Sequence, residues 1–263
     1  MTAMSSYQLT ITPLKLDNIP SEESILTAGR EILESTKSWK QGKSYHRNTV
    51  KTFTHPKGPE DGAPWHCRVS EHTAEDATFD EFWSKLGNDK AVNEKEFIPS
   101  IKKVTLVKTI SPAQSIWTLY YTFPPPVSPR VFTVLQTIHL DQTSPRTGII
   151  VSIPVDVADD AELAKLEEKG VRARYASVER LQEVDGGKVH WQMATSSTPG
   201  GMIPPFIAEM SIDGQISADV PHFIKWLHRI RSKPATTANS PQQAEESAPG
   251  TLEPAVVDNA VGA

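Results

Sequence analysis

The sequence contains only one cysteine, Cys67, among its 263 residues. One cysteine excludes an intramolecular disulfide framework and favours a reducing compartment. The first residues lack the basic and apolar regions of a signal peptide, and no apolar run approaches the roughly 20 residues needed to span a bilayer. We therefore expect a soluble cytoplasmic protein whose contact with membranes is peripheral at most.

A basic excess and recognisable catalytic motifs are also lacking. The formal net charge is −5, and we see no concentrated Lys/Arg run, so we expect no nucleic-acid partner. There is no Gly-x-Ser-x-Gly, His-Glu-x-x-His, Cys-x-x-Cys or phosphate-loop motif. We expect no metal and no cofactor, and any catalysis would use side chains that the fold brings together.

The end of the sequence differs in composition from the rest. Beyond Lys233 it has no aromatic residue and no Lys or Arg, and it is rich in Ala, Pro, Ser and Thr. Such a segment buries too little apolar surface to offset its ordering entropy. We therefore divide the chain into an N-terminal segment (1–20), one domain (21–232) and a disordered acidic tail (233–263).

Periodicity within the domain predicts an α+β fold. Ser21 can cap a helix that begins with two acidic residues, and a short helix fits 79–86. Asp185-Gly186-Gly187 is a tight-hairpin signal. Consecutive strands joined by short turns favour an antiparallel sheet. The predicted strands are 45–55, 65–71, 101–110, 116–123, 131–140, 147–155, 172–183 and 188–197.

A long amphipathic helix is predicted after the last strand. Apolar residues recur at helical spacing from Ile203 to Ile230, which produces a broad apolar stripe. Such a helix either packs directly on the sheet or roofs a cavity. Gly214 and Pro221 predict that it consists of two segments with a weak point at 214–218.

Two stretches carry a resemblance to a known superfamily. They are Ser128-Pro129-Arg130-Val131-Phe132, and GGMIPPFI from Gly200 followed by PHFIKWL from Pro221. They resemble the START-like superfamily of StAR-related lipid-transfer and polyketide-cyclase-like proteins, and within it a fungal branch of largely unassigned function. The resemblance implies a helix-grip fold, in which a curved antiparallel sheet wraps around a long C-terminal helix and encloses a hydrophobic cavity. Gln136 stands where some lipid-transfer members have a cavity arginine.

Strand alternation and this resemblance together suggest which residues line the cavity. Alternate residues of the strand that begins at Trp65 face the same side of the sheet. The more apolar of the two sets, which includes Trp65 and Cys67, is predicted to face inward. His66, Arg68, Ser70 and His72 are predicted to form a solvated outer face. Cys67 has no neighbour that would activate a thiolate, so packing is its first interpretation. The predicted ligand-binding residues are Trp65, Cys67, Tyr121, Phe132, Gln136, Trp191, Met193, Phe206 and Met210.

Three functions are compatible with these features. The first is a non-catalytic binder of a lipid or polyketide. The second is a polyketide cyclase or lyase that promotes pyrone formation in fungal secondary metabolism, with a polyketide synthase as partner. Its candidate catalytic residues are Tyr121, Arg130 and His190, although alternation predicts that His190 is exposed. The third is an adaptor that uses the Pro-rich loop 123–129 and the tail, and it would have a solid core.

Overall fold

The computed structural model describes residues 7–59, 61–201 and 205–232, with the backbone alone for 205–210. The predicted tail (233–263) lies outside the described residues. The helices are α1 (Glu22–Ser35), α2 (Phe79–Phe82), α3 (Lys90–Phe97), α4 (Ala161–Ala164) and α5 (Pro205–Arg231). The strands are β1 (Leu14–Lys15), β2 (Lys40–Tyr45), β3 (Val50–His55), β4 (Trp65–His72), β5 (Ile101–Ser111), β6 (Gln114–Tyr121), β7 (Arg130–Asp141), β8 (Thr147–Asp156), β9 (Val171–Arg172), β10 (Arg174–Val184) and β11 (Lys188–Thr198).

Most strands belong to one antiparallel path. Its order is β2-β3-β4-β11-β10-β8-β7-β6-β5, while β1 and β9 pair in parallel with β8 and β7. The turn between β10 and β11 has positive φ angles at Gly186 and Gly187 (78° and 71°), as the hairpin signal predicted. The predicted α+β class, with an antiparallel sheet and a long C-terminal helix, is confirmed.

Helix α1 covers one face of the sheet, which we call the outer face. Ser21 caps the helix, because its hydroxyl accepts a hydrogen bond from the Ser24 amide. Gly29 allows the helix to approach closely, since a Cβ there would lie 2.9 Å from Val151 Cγ2. The chain before α1 also packs here, with Leu9 and Ile11 buried in the same cluster. The outer face is therefore an apolar core.

Helices α2, α3 and α5 cover the opposite face, which we call the inner face. Aromatic rings join α5 to the sheet: the Phe223 ring lies 5.1 Å from Phe82 and 5.3 Å from Trp191, measured between centroids. Phe97 of α3 packs edge-on against Phe223 at 5.4 Å. This aromatic cluster fixes the C-terminal half of α5 on the sheet.

Three local predictions differ from the structure. The predicted strand 45–55 contains a turn at His46, Arg47 and Asn48, all with positive φ, so it forms part of a hairpin. Helix α3 was missed because its buried side includes Lys90 and has no apolar stripe. Helix α5 is continuous through Pro221 rather than divided into two segments.

Candidate ligand site on the inner face of the sheet

A row of polar side chains crosses the inner face. Strand pairing aligns one polar residue from each of seven strands. Apolar residues are expected on a buried sheet face, so a continuous polar row is chemically unusual there. We call this row the polar belt, and it consists of Ser115, Gln136, Ser152, Ser177, Thr195, His66 and Thr54.

Part of the belt has hydrogen-bonding groups without partners. Gln136 is 5% exposed, and its Nε2 has no hydrogen-bond partner. His66 Nδ1 lies 2.7 Å from Asp213 Oδ1 of α5, while its Nε2 also has no partner. Thr195 is satisfied, because its hydroxyl donates to the Ala176 carbonyl. A buried polar group without a partner costs about 1–3 kcal/mol, so the unpaired groups point to water or a ligand.

A charged cluster lies in the row next to the belt. The Glu179 carboxylate accepts hydrogen bonds from Arg68 Nη2 at 3.1 Å, from Lys90 Nζ at 2.6 Å and from Trp191 Nε1 at 2.6 Å. Lys90 also pairs with Glu94 at 2.7 Å. The Arg68 guanidinium lies over the Trp191 ring, 4.0 Å from its centroid, a favourable cation–π arrangement.

Proximity of opposite charges controls ionisation in this cluster. Burial alone would raise the pKa of Glu179, but the Lys90 and Arg68 cations hold it below its usual value. The two carboxylates likewise raise the pKa of Lys90 against the effect of burial. At Glu94 burial prevails and raises the pKa. Glu179 is therefore ionised, and its carboxylate binds Arg68 and Lys90 beneath α5.

Arg68 has hydrogen-bond donors that this cluster does not pair. It is 1% exposed, and its Nε and Nη1 groups have no hydrogen-bond partner among the residues that the structure describes. A guanidinium presents five N–H donors and is always charged. The unpaired donors can therefore bind an oxygen acceptor or an anionic group of a ligand.

Four polar side chains lie close to one another on the inner side of the domain. Glu94, Tyr121, Tyr175 and Asp219 interact electrostatically, and each keeps part of its surface accessible. We infer that they line an internal recess. Burial raises the pKa of both tyrosines, and it raises the pKa of Asp219 on α5 to about 7. Near neutral pH, Asp219 can therefore both donate and accept a proton.

Aromatic rings form the apolar part of this recess. Phe132 contacts Tyr121 and Tyr175, with centroid distances of 5.1 and 5.4 Å. All three rings lie on the inner face and keep some surface accessible. The recess therefore combines an aromatic wall with the polar belt and the charged cluster.

A separate pocket opens at the corner formed by β6, β7 and the start of α3. Its volume is about 450 Å³, within the range of roughly 300–1,000 Å³ that is usual for small-molecule sites. Lys90 of the charged cluster and Gln136 of the polar belt both line it, beside Trp117 and Ile138. Lys90 and Gln136 thus border a pocket that opens at the protein surface.

The structure places five predicted ligand residues on the inner face: Tyr121, Phe132, Gln136, Trp191 and Met193. Trp65 and Cys67 lie on the outer face, in the core formed with α1. Their predicted inward orientation was wrong. Burial also raises the pKa of the Cys67 thiol to about 11, which agrees with a packing role. The side chains of Phe206 and Met210 lie outside the described residues.

The predicted solvated face of β4 was also wrong. His66, Arg68, Ser70 and His72 are 1–6% exposed and lie beneath α5 and α2. The prediction failed because helices cover both faces of the sheet, so apolar character does not distinguish inside from outside.

Two candidate catalytic residues are poorly placed for catalysis: His190 lies away from the recess, and Arg130 is hydrogen-bonded to backbone carbonyls. His190 is half-buried on the outer side of β11, opposite to Trp191, and burial lowers its pKa. Arg130 donates from Nε to the Pro199 carbonyl at 2.8 Å and from Nη1 to the Ser128 carbonyl. Arg130 thereby joins the Pro-rich loop to the segment before α5.

Sequence reasoning missed Lys90, Glu94 and Asp219. Lys90 and Glu94 have the spacing of an ordinary surface ion pair on a helix. Asp219 gave a usable signal, because it stands four residues before Phe223 and three after Ile216 on the buried stripe of α5. A carboxylate on an apolar stripe indicates a partner or a cavity.

The described part of the chain was searched for metal sites and for membrane-spanning helices. It contains no group of three His, Cys, Asp or Glu side chains arranged to hold a metal ion. In the same residues, no helix is both long and apolar enough to cross a membrane.

Comparison with known proteins identifies the fold. A family model described as "Protein of unknown function (DUF3074)" matches residues 65–227, and no curated protein sequence matches significantly. Human STARD10 is 12% identical, with 81% of this chain and 82% of that chain covered and a TM-score of 0.66. Human StAR-related lipid transfer protein 5 is 12% identical, with 80% and 96% covered and a TM-score of 0.65. The human StarD13 lipid transfer and protein localization domain is 17% identical, with 80% and 98% covered and a TM-score of 0.60. The START-like, helix-grip fold predicted from the sequence is confirmed.

Proposed function

The chain belongs to the DUF3074 family of proteins of unknown function, and from the recess on its inner face we propose that it binds an amphiphilic small molecule, a lipid or a polyketide. The observation that carries this proposal is the pair of buried side chains with unpaired donors, Arg68 and Gln136. They lie on the same sheet face as the aromatic wall. An amphiphile would satisfy both the polar and the apolar groups at once.

The ligand that fits best has several oxygen atoms on an apolar skeleton. One or more of its oxygens would accept hydrogen bonds from Arg68 Nε and Nη1 and from Gln136 Nε2. Its apolar part would pack against Phe132, Tyr121 and Tyr175. Position 136 is a glutamine, so an acidic or strongly polar head group would be held by Arg68 of β4 instead.

Similarity of fold agrees with this proposal. Two of the similar human structures are named as lipid-transfer proteins or domains, and we extend that analogy to this chain. The recess also argues against the alternative of an adaptor with a solid core.

Binding can be tested with a matched pair of variants. Native mass spectrometry of the purified full-length protein should show a retained small molecule. Delipidated protein should bind fatty acid, phospholipid or polyketide extracts. Gln136→Leu removes an unpaired amide and should weaken this binding without loss of stability.

The control for this experiment is Gln114→Leu on the outer face. Gln114 is equally buried (5% exposed), but its Nε2 donates to Thr137 Oγ1 at 3.0 Å. Its replacement should lower the free energy of unfolding by about 1–3 kcal/mol and leave ligand binding unchanged. Failure to retain or bind any extract, by a protein that is shown to be folded, would refute the proposed function.

A second candidate function is polyketide cyclisation. It is favoured by Asp219, whose pKa of about 7 suits a general base. The Asp219 carboxylate would take the proton from an enol hydroxyl as the enol oxygen attacks a thioester carbonyl. The unpaired Arg68 donors would stabilise the resulting oxyanion, and the thiolate would then leave. Tyr121 also lies in the recess, whereas His190 does not.

Co-expression with a polyketide synthase distinguishes a protein that only binds the polyketide from one that cyclises it. A cyclase would change the product profile, and Asp219→Asn would abolish that change while ligand retention persists. An unchanged profile in the presence of the wild-type protein would rule out cyclisation of that product.

A further inference from the structure

The hairpin formed by β2 and β3, with the loop that follows it, concentrates positive charge. Residues 40–59 contain five Lys or Arg and two His, and they contain no Asp or Glu. The whole chain has a net charge of −5, so this segment is opposite in sign to the protein average. The cations are separated by neutral residues, so they form no concentrated run in the sequence. The five cations are Lys40, Lys43, Arg47, Lys51 and Lys57.

All five cations are exposed, and none forms an ion pair with any other residue that the structure describes. By contrast, several exposed cations elsewhere are paired, such as Lys15, Lys37 and Lys165. Unpaired like charges on adjacent strands repel each other, and an anionic partner would remove that cost.

The hairpin presents these charges on a rigid support. Val50 and Thr52 of β3 are fully buried on the inner face, and Phe53 packs against the outer core. The hairpin lies at one end of the sheet, where β2 has a free edge. The cationic side chains therefore project from a fixed edge of the domain.

We propose that this cationic hairpin docks the protein on the surface of an anionic lipid bilayer. Four of the five cations are lysines, which act as point charges and suit the diffuse field of a charged membrane. Clusters of about 4–8 Lys or Arg are sufficient for such binding. The proposal is independent of what the recess holds.

The composition of the hairpin disfavours a nucleic-acid partner. Base readout relies chiefly on Arg, Asn and Gln, and the segment has one of each, Arg47, Asn48 and Gln41, beside four lysines. Single-strand binding relies on exposed aromatic rings, but Tyr45 and Phe53 are packed into the protein. The hairpin thus offers mainly point charges and no exposed Phe, Tyr or Trp ring for bases to stack on.

Flotation of the full-length protein with vesicles tests the proposal. It should bind vesicles of phosphatidylcholine mixed with phosphatidylserine, fail to bind phosphatidylcholine alone, and dissociate as salt is raised. Lys43→Glu combined with Lys51→Glu should weaken binding to the anionic vesicles at least about tenfold.

A matched variant controls for net charge and for an edge-strand effect. Lysines on edge strands also prevent aggregation, and β5, at the other end of the sheet, carries the exposed Lys102 and Lys108. Lys102→Glu with Lys108→Glu makes the same change in charge and should bind vesicles like the wild type. Equal weakening by both variants, absence of binding to anionic vesicles, or preferential binding of duplex DNA would each overturn the proposal.

Discussion

Leu135 and Gln136 are neighbours in β7 and are both buried, but they meet different surroundings. Leu135 is fully enclosed in the apolar cluster beneath α1. Gln136 belongs to a polar row on the other face and keeps an unpaired amide. The same alternation separates Ala194, in the outer core, from Thr195 of the polar belt on β11.

The two faces have different roles: the outer face stabilises the fold, and we infer that the inner face binds the ligand. The outer face has the composition expected of a core, and among its described buried side chains only Arg180 keeps an unpaired donor, its Nε. The inner face holds a charged cluster, unpaired donors and a recess, which raise the free energy of the folded state. A protein keeps such groups where a partner satisfies them, so the inner face is the place to look for the ligand.

The largest expected effect is that of Glu179→Gln on the inner face. The substitution keeps the volume but removes the anion that Arg68 and Lys90 share. Arg68 would lose its counter-ion and Lys90 would keep only Glu94, so the free energy of unfolding should fall by about 3–5 kcal/mol, measured by chemical denaturation. A loss below about 1 kcal/mol would indicate that water in the recess already solvates both cations, and the contrast between the faces would be weaker than we infer.

A smaller effect is expected in the pH dependence of stability. The pKa of Asp219 rises from 3.8 to about 7 on folding, so only the folded state keeps the proton between these values. The stability that this provides is complete below about pH 4 and is lost as the pH rises to about 7. Relative to Asp219→Asn, the wild type should therefore lose up to about 4 kcal/mol between pH 4 and pH 8.

Denaturation of both proteins across this pH range measures the effect. The comparison isolates Asp219 from the other ionisable groups near it, which are Arg68, Lys90, Glu94 and Glu179. Parallel stability profiles for wild type and variant would show that Asp219 titrates like an exposed carboxylate.

The smallest effects are expected from two helix glycines. Alanine at Gly29 of α1 would place its Cβ 2.9 Å from Val151 Cγ2, whereas a Cβ at Gly214 of α5 meets nothing within 4 Å. Gly29→Ala should therefore destabilise the protein by about 1–2 kcal/mol through overpacking. Gly214→Ala should stabilise it by up to about 1 kcal/mol through helix propensity. Thermal unfolding of both variants tests this. A shift of the melting temperature in the same direction for both would contradict the difference in packing.

Local signals predicted most of the elements. Ser21 and the Asp185-Gly186-Gly187 turn specify their own conformations, because a side-chain cap and a positive φ are local properties. The turn at His46–Asn48 was missed because it reverses the chain without glycine or proline. Tyr121, Phe132 and Gln136 were predicted to line a cavity and lie on the inner face, whereas Arg68 was assigned to solvent and is buried.

The sequence by itself determined the antiparallel sheet, the long α5 and the START-like resemblance, since periodicity and short motifs are written in consecutive residues. Only the tertiary structure decided which face of the sheet holds the recess. Helices cover both faces, so burial does not follow from apolar character alone. The charged cluster joins β4, β10, β11 and α3, and Asp219 of α5 lies within its electrostatic influence. Residues so distant in the chain become a site only when the fold brings them together.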